Sequence, residues 1–216
     1  MQSDDFMYVV LADQVASRAG SDRVPDALRV LGERLGGRLA LPFERTAGDE
    51  IQGLTADPAA VSEAVCALTR LGGWRLGIGT GSVDLPLPRS TREARGDAYL
   101  AARQAIGAAR TSPTELALRT APTVSPAGYG GPQKDKDAET ALWLLRTVLA
   151  SRSREGWELV DLLDQGLSNA QAASRLGISP SAASQRLSRA HRTEVTRGAA
   201  LAARLLADLA PDGGRQ

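Results

Sequence analysis

Cysteine and histidine are almost missing from this sequence, which has one of each, Cys66 and His191. A single cysteine excludes an internal disulfide and a cysteine-based zinc cluster. A single histidine excludes a multi-histidine metal site, and a Ser-His-Asp triad would require His191 itself. Any metal must therefore be bound by carboxylates, which favours Mg²⁺, Mn²⁺ or Ca²⁺.

Long apolar runs and lysine are scarce as well. No run approaches the ~20 residues of a membrane-spanning helix, and the start of the chain is acidic, unlike the basic start of a signal peptide. We therefore expect a cytoplasmic protein with no membrane partner. Lysine occurs only at positions 134 and 136, and the abundance of arginine, alanine and glycine is typical of a GC-rich bacterial genome.

The hydrophobic residues that are present suffice for packed cores. The 216 residues are 43% hydrophobic and 24% charged, which is ordinary for a globular chain of one or two domains. Composition and periodicity divide the chain into an α+β domain over residues 1–119, a linker over 120–137 and an all-α domain over 138–210. The linker is rich in proline, glycine and charge and has no periodicity.

A tight turn joins two predicted strands, residues 39–45 and 51–56. Gly48 can supply the positive φ that such a turn often needs. Asp49 follows at the tip of the turn, where its carboxylate is open to a cation.

A second carboxylate, Asp13, ends the first predicted strand, residues 6–12. If the strands are neighbours in one sheet, Asp13 and Asp49 face each other across its edge. Close carboxylates repel unless a hard cation lies between them, and Mg²⁺ or Mn²⁺ with a substrate phosphate is the usual occupant. The alternative is that both residues only cap turns.

The remaining elements of the first domain predict a ferredoxin-like or palm layout. The expected order is β-α-β-β-α-β-α-β, with helices on one face of the sheet. The further predicted elements are helices over 22–35, 58–71 and 92–109 and strands over 74–83 and 115–119.

Gly77, Gly79 and Gly81 alternate along the predicted strand 74–83 and would leave one face of it bare. Glycine weakens a strand, so the pattern indicates a close approach to this face. A bound nucleotide and a packed helix both fit the pattern.

The C-terminal third predicts a helix-turn-helix. Helices are expected over 141–151 and 155–164, and Ser168 with Gln171 forms the pattern of a capping box. A short helix, a turn and a second helix beginning at Ser179-Pro180 follow. The predicted core is Ala172, Leu176, Ile178, Ala183 and Leu187. The alternative is a helical hairpin used for dimerisation.

The segment from Gly166 to Ala190 resembles the helix-turn-helix of region four of bacterial sigma factors and of related response regulators. The matching pieces are Gly-Leu-Ser before the first helix, Leu-Gly-Ile-Ser at the turn, and Arg-Leu-Ser-Arg-Ala late in the second helix. The resemblance implies double-stranded DNA as a partner, with contacts from Ser181, Ser184, Gln185, Arg186, Arg189 and Arg192.

The first ~119 residues resemble the SatD-like family and, behind it, the palm domain of class III nucleotidyl cyclases and GGDEF-type cyclases. The motifs are Val-Leu-Ala-Asp-Gln-Val at residues 10–15, Arg-Thr-Ala-Gly-Asp-Glu-Ile at 45–51, Arg-Leu-Gly-Ile-Gly-Thr-Gly at 75–81 and Gly-Asp-Ala-Tyr-Leu-Ala-Ala-Arg at 96–103.

This second resemblance implies a metal–nucleotide site. Its implied metal ligands are Asp13 and Asp49, with Arg103 as the catalytic arginine, and its implied nucleotide contacts are Gly48, Gly77, Gly79, Gly81 and Tyr99. Tyr99 stands where the cyclases carry a catalytic asparagine, which favours sensing over turnover.

Three functional hypotheses follow. The first is a homodimeric transcription regulator that senses a nucleotide with Mg²⁺ or Mn²⁺ and binds DNA. The second is an active nucleotidyl cyclase or nucleotidyltransferase with a two-metal mechanism, regulated through its helix-turn-helix. The third is an RNA polymerase-binding protein that uses the sigma-like segment for protein contact.

Overall fold

The computed structural model describes residues 6–15, 21–122 and 131–211. The strands are β1 (Phe6–Gln14), β2 (Leu41–Arg45), β3 (Glu50–Thr55), β4 (Trp74–Ser82) and β5 (Leu116–Thr120). The helices are α1 (Val24–Leu35), α2 (Pro58–Leu71), α3 (Asp97–Ala108), α4 (Gly131–Ala150), α5 (Arg154–Asp164), α6 (Asn169–Arg175), α7 (Pro180–Arg189) and α8 (Arg192–Ala207).

A five-stranded mixed sheet organises the first part of the chain. Its strand order is β2-β3-β1-β4-β5, so β1 lies in the centre. β1 is antiparallel to both β3 and β4, whereas β5 is parallel to β4. The predicted mixed α+β class is confirmed, and the palm assignment stays a prediction.

Helices cover both faces of this sheet. Tyr8 and Val10 of β1 point toward the layer of α1 and α2, and Val9 and Leu11 point toward α3. The expectation of helices on one face was therefore wrong. The physical reason is visible in β1, whose apolar run is continuous because both of its faces are buried.

The last helix before β5 is shorter than predicted. α3 begins at Asp97 instead of Arg92, after Gly96 with a φ of 129°. An added Cβ at Gly96 would lie 2.6 Å from the carbonyl oxygen of Ser82, so the chain can enter α3 here only with glycine.

The C-terminal helices α4 and α8 belong to the same core as α2. Ala138 and Leu142 of α4 and Leu206 of α8 are fully buried in that core. Tyr8 of β1 donates from its hydroxyl to the carbonyl of Leu206 at 2.8 Å. The boundary predicted at residue 138 therefore separates sequence segments that share one hydrophobic core.

The predicted linker is partly helical. α4 starts at Gly131, so residues 131–137 lie in its first turns, and residues 123–130 lie outside the described residues. Residues 132–137 are polar and mostly exposed, which is why the sequence shows no apolar periodicity there.

The helices α5, α6 and α7 form a small core of their own, and its predicted composition is confirmed. The five predicted residues, Ala172, Leu176, Ile178, Ala183 and Leu187, all belong to it, together with Leu159 of α5. The predicted capping box is present, and Gly177 between the helices has a φ of 66°. Among the described helices, none is long and apolar enough to cross a membrane.

Candidate functional site

The turn between β2 and β3 has the predicted form. The amide of Thr46 donates to the carbonyl of Glu50 at 2.9 Å, and Gly48 adopts a φ of 57°. The amide of Gln14 donates to the carbonyl of Asp49 at 3.2 Å, so the turn is joined to the end of β1. This bond brings Asp49 beside Asp13.

Three charged residues share one face of the sheet at this end. Asp13 is in register with Glu50 of β3 on one side and with Arg75 of β4 on the other. Directly opposite residues point to the same face, which is the face covered by α3. Arg75 donates from Nη1 to Asp13 Oδ2 at 3.1 Å.

A cleft of ≈ 780 Å³, called the carboxylate cleft below, opens between this end of the sheet and α3. Asp13, Asp49 and Glu50 supply carboxylates to its wall. Three exposed arginines, Arg92, Arg103 and Arg110, line the same cleft. A cleft with both signs of charge suits an anion that is itself accompanied by a cation.

Arg103 is held by Glu50. Its Nη1 atom lies 2.8 Å from Glu50 Oε2 and 3.1 Å from Oε1. The hydroxyl of Thr46 also contacts Glu50 Oε1, at 2.5 Å. Glu50 therefore places Arg103 over the cleft and connects it to the β2–β3 turn.

Tyr99 of α3 lines the same cleft. Its hydroxyl is 3.3 Å from the Thr91 hydroxyl, and Gln52 Nε2 donates to the Thr91 carbonyl at 2.8 Å. Burial raises the pKa of Tyr99, so it stays a neutral phenol at physiological pH. A neutral, half-buried ring beside an open cleft can pack against a planar ligand.

The pKa of Asp13 reflects both its burial and the charged groups around it. Burial raises the pKa of Asp13, and the neighbouring Asp49 carboxylate raises it further, while Arg75 lowers it. The net direction is upward despite the contact with Arg75. The upward direction fits a repulsion between Asp13 and Asp49.

The carboxylates alone do not make a full metal cage. Among residues 6–15, 21–122 and 131–211, no group of three or more His, Cys, Asp or Glu side chains is arranged to hold a metal ion. Mg²⁺ nevertheless often keeps several waters and needs only one or two carboxylates together with substrate phosphates. Asp13 and Asp49 fit that second arrangement.

The glycines of β4 are covered by α3. A Cβ added at Gly79 would lie 2.1 Å from the amide nitrogen of Ala102, and one at Gly77 would lie 2.4 Å from that of Ile106. A Cβ at Gly81 would lie 2.8 Å from Ala121. The sequence left a bound nucleotide and a packed helix open for this face, and the structure has the packed helix there.

The charged cleft residues Glu50, Arg92 and Arg110 were not singled out from the sequence, and neither was Arg75, which contacts Asp13. Glu50 and Arg75 each lie directly opposite Asp13, but this strand register is not visible in the local sequence. Arg92 and Arg110 flank α3, and nothing in their local sequence distinguishes them from other surface arginines.

The predicted DNA-contacting residues lie mainly on one side of α7. Ser181, Ser184, Gln185 and Arg189 are exposed, while Ala183 and Leu187 pack in the small core. Ser184 accepts a hydrogen bond from Asn169 Nδ2 at 3.2 Å. Arg192 differs from the others, because its Nη2 is paired with Asp164 at 2.8 Å.

The comparisons with known proteins leave the family open. No family model matches the chain, and no curated protein matches it. The chain is similar to a solved structure, the regulator of polyketide synthase expression from Bifidobacterium adolescentis, with 14% identity and a TM-score of 0.31 over 97% of this chain and 82% of that one.

Proposed function

We propose that the protein is a DNA-binding transcription regulator whose cleft at the end of the sheet senses a nucleotide together with Mg²⁺ or Mn²⁺. The observation that carries this proposal is the exposed polar side of α7 in a capped helix-turn-helix. Helix α7 is the second of the two helices, the one that enters the major groove in such motifs. Arg186 and Arg189 lie in its last turn and would contact phosphates or bases.

Charge supports the DNA-binding part of the proposal. Arg175, Arg186 and Arg189 lie on α6 and α7, and the sequence places no acidic residue on these two helices. Arginines of this kind release counterions from DNA, so binding should weaken steeply with salt. One helix-turn-helix binds weakly, and a homodimer on a two-fold site is the expected binding form.

The cleft supports the sensing part. Its arginines match the phosphates of a nucleotide, its carboxylates match the accompanying cation, and Tyr99 can pack against a base. Arg103 and Glu50 would exchange their mutual contact for phosphate and cation contacts on binding. Turnover is the second candidate, because Asp13 and Asp49 line the same cleft as Arg103.

Selection from a random double-stranded library, followed by fluorescence anisotropy over a salt series, tests DNA binding. The Arg186→Ala, Arg189→Ala variant should lose at least tenfold in affinity, and its slope of log K against log salt should fall by about 2. Arg204→Ala is the matched control, since this exposed arginine lies at the far end of α8. Equal slopes in all three proteins would refute the docking of α7.

Incubation with each nucleoside triphosphate and Mg²⁺ or Mn²⁺ separates sensing from turnover. Products are identified by mass spectrometry and nucleotide binding is measured by calorimetry, for the wild type and for Asp49→Ala. Binding without product supports the sensor, and a product lost in Asp49→Ala supports the enzyme. Absence of both binding and product would refute a nucleotide role for the cleft.

A further inference from the structure

A second cleft lies between α1 and α2 on one side and α5 and α8 on the other, on the face of the sheet opposite α3. Its volume is ≈ 140 Å³, several times the ~30 Å³ share of one water molecule. Four arginines line it: Arg34 of α1, Arg70 of α2, Arg152 before α5 and Arg192 of α8. The four arginines come from both parts of the chain.

Arg152 is the innermost of these arginines. It is 7% exposed, and its Nε donates to the carbonyl of Ala190 at 2.7 Å. Its guanidinium lies 4.2 Å from the centre of the Trp157 ring, and that of Arg70 lies 4.5 Å from the same ring. Arg152 Nη2 is buried and has no hydrogen-bond partner among the described residues.

The acidic residues nearby are already paired. Asp161 accepts both of its contacts from Arg70 at 2.6 Å, and Asp164 accepts from Arg192. Burial raises the pKa of the Cys66 thiol in the cleft wall to about 12, so Cys66 stays neutral and supplies no negative charge. Arg34 lies 3.9 Å from Glu63, whose carboxylate already contacts Arg38 at 2.6 Å.

A buried guanidinium without a carboxylate is costly, because desolvation disfavours its charge. The two arginines stacked on Trp157 also repel each other. An anion placed among them would relieve both penalties, and planar guanidinium groups bind tetrahedral oxyanions through paired hydrogen bonds.

We propose that this cleft binds a small tetrahedral oxyanion, either inorganic phosphate or the phosphoryl end of a small phosphate monoester, between Arg34, Arg70, Arg152 and Arg192. The site does not rest on the proposed function, since it uses neither the carboxylate cleft nor α7. Because Arg70 belongs to α2 and Arg152 and Arg192 flank the helix-turn-helix, the anion would join these two parts of the molecule.

Inorganic phosphate and a phosphate monoester differ in whether they would fill a neighbouring hollow. It has a volume of ≈ 240 Å³ and shares Arg34 and Arg70 with the cleft, while Val30 and Leu71 give it an apolar wall. The carbon body of a monoester would occupy this hollow. Inorganic phosphate would leave it to water.

Titration of the full chain with sodium phosphate and with glycerol phosphate tests the site, with sodium chloride at matched ionic strength as the reference. The readout is the indole N–H signal of Trp157 in ¹⁵N-labelled protein, identified by Trp157→Phe; the chain has three tryptophans. The Trp157 signal should shift and saturate with phosphate but not with chloride. If glycerol phosphate binds more tightly than inorganic phosphate, the ligand is a phosphate monoester. If it does not, the ligand is the free ion.

Arg34→Gln is the test variant. The Arg34 side chain lies 3.9 Å from Glu63, so we expect its loss to leave the fold intact. Loss of one charge-assisted contact should weaken phosphate binding about tenfold. Arg29→Gln, which replaces an exposed arginine on α1 that pairs with Glu33, should leave the phosphate titration of the Trp157 signal unchanged. A Trp157 signal that does not saturate, or equal titrations of Arg34→Gln and Arg29→Gln, would overturn the proposal.

Discussion

Arg75 lies between two carboxylates, with Nη1 3.1 Å from Asp13 Oδ2 and Nη2 3.5 Å from Glu115 Oε1. The backbone carbonyl of Glu115 accepts from Arg146 of α4 at 3.1 Å. A continuous series of polar contacts therefore runs from the carboxylate cleft, through β4 and the start of β5, to the helix that precedes the helix-turn-helix. A cation at Asp13 would compete with the first contact of this series.

Replacement of Arg75 by glutamine should destabilise the fold and raise the pKa of Asp13 further. Arg75 is largely buried, so its loss leaves Asp13 without its main positive neighbour, at a cost of about 1–3 kcal/mol. Urea unfolding measures the stability and carboxyl NMR measures the pKa. Arg29→Gln removes an exposed pair and should cost less than ~0.5 kcal/mol. Equal costs for the two variants would contradict a structural role for Arg75.

Asp49→Asn should stabilise the protein at neutral pH in metal-free buffer. Asp49 raises the pKa of Asp13, so the two ionised carboxylates repel each other in the folded state. The amide keeps the shape of the turn and removes that repulsion, with an expected gain of about 0.5–1 kcal/mol.

The pH dependence of this gain in stability follows from the direction in which the pKa of Asp13 is shifted. The folded pKa of Asp13 is above the unfolded value of 3.8, so the wild type carries the repulsion only above the folded pKa and loses it as Asp13 takes up a proton. The gain from Asp49→Asn should be full at neutral pH and disappear as pH falls through the pKa of Asp13. Thermal unfolding in chelator from pH 7 to acid measures it, and a gain independent of pH would exclude this cause.

Gly79→Ala should cost more than ~3 kcal/mol, because the new methyl group meets backbone atoms that cannot rotate away. The added Cβ would lie 2.1 Å from Ala102 N and 2.2 Å from Ala98 O. Gly107→Ala on α3 is the matched control, since among the described residues no atom outside its chain neighbours and its own helix backbone lies within 4 Å of its Cβ position. That change should stabilise the protein by about 0.5–1 kcal/mol. Chemical denaturation compares them, and tolerance of Gly79→Ala would contradict the close approach of α3.

Local sequence signals predicted the helices and strands better than they predicted how these elements pack against one another. Ser168 with Gln171, Gly177 and Ser179 with Pro180 act within a few residues, so the helix-turn-helix and its core followed from the sequence. The side of the sheet taken by α3 did not, because three alternating glycines fit a ligand and a helix equally well. Only the tertiary fold decides between these two.

The sequence singled out four residues that line the carboxylate cleft, Asp13 and Asp49 from their positions and Arg103 and Tyr99 from the resemblance to cyclases. Asp13 and Asp49 ended a strand and a turn, which are positions that sequence patterns reveal. Arg75 and Glu50 act through strand register, and register is fixed by pairing that no local pattern contains. The attachment of α4 and α8 to α2 likewise depends on matching apolar faces that are far apart in sequence.

Ser168→Ala should lower stability by about 1 kcal/mol through loss of the cap of α6. The Ser168 hydroxyl accepts from the amide of Gln171 at 3.3 Å, and its own amide donates to Gln171 Oε1 at 2.8 Å. Ser181→Ala is the control, since Ser181 lies exposed in the first turn of α7 and makes no cap there. Guanidinium unfolding followed by circular dichroism compares them, and a smaller loss in Ser168→Ala than in Ser181→Ala would contradict the capping role.

Tyr8→Phe should destabilise the sheet and the C-terminal helices together. The hydroxyl of Tyr8 is buried and donates to the carbonyl of Leu206 on α8, so the change leaves that carbonyl without this donor, at a cost of about 1–3 kcal/mol. Because α4, α8 and α2 share one core, unfolding should remain a single transition with a lower midpoint. Far-ultraviolet circular dichroism and tryptophan fluorescence should give coincident curves in the wild type and in the variant. Two separated transitions in the wild type would show that the C-terminal helices unfold independently of the sheet, contrary to the shared core.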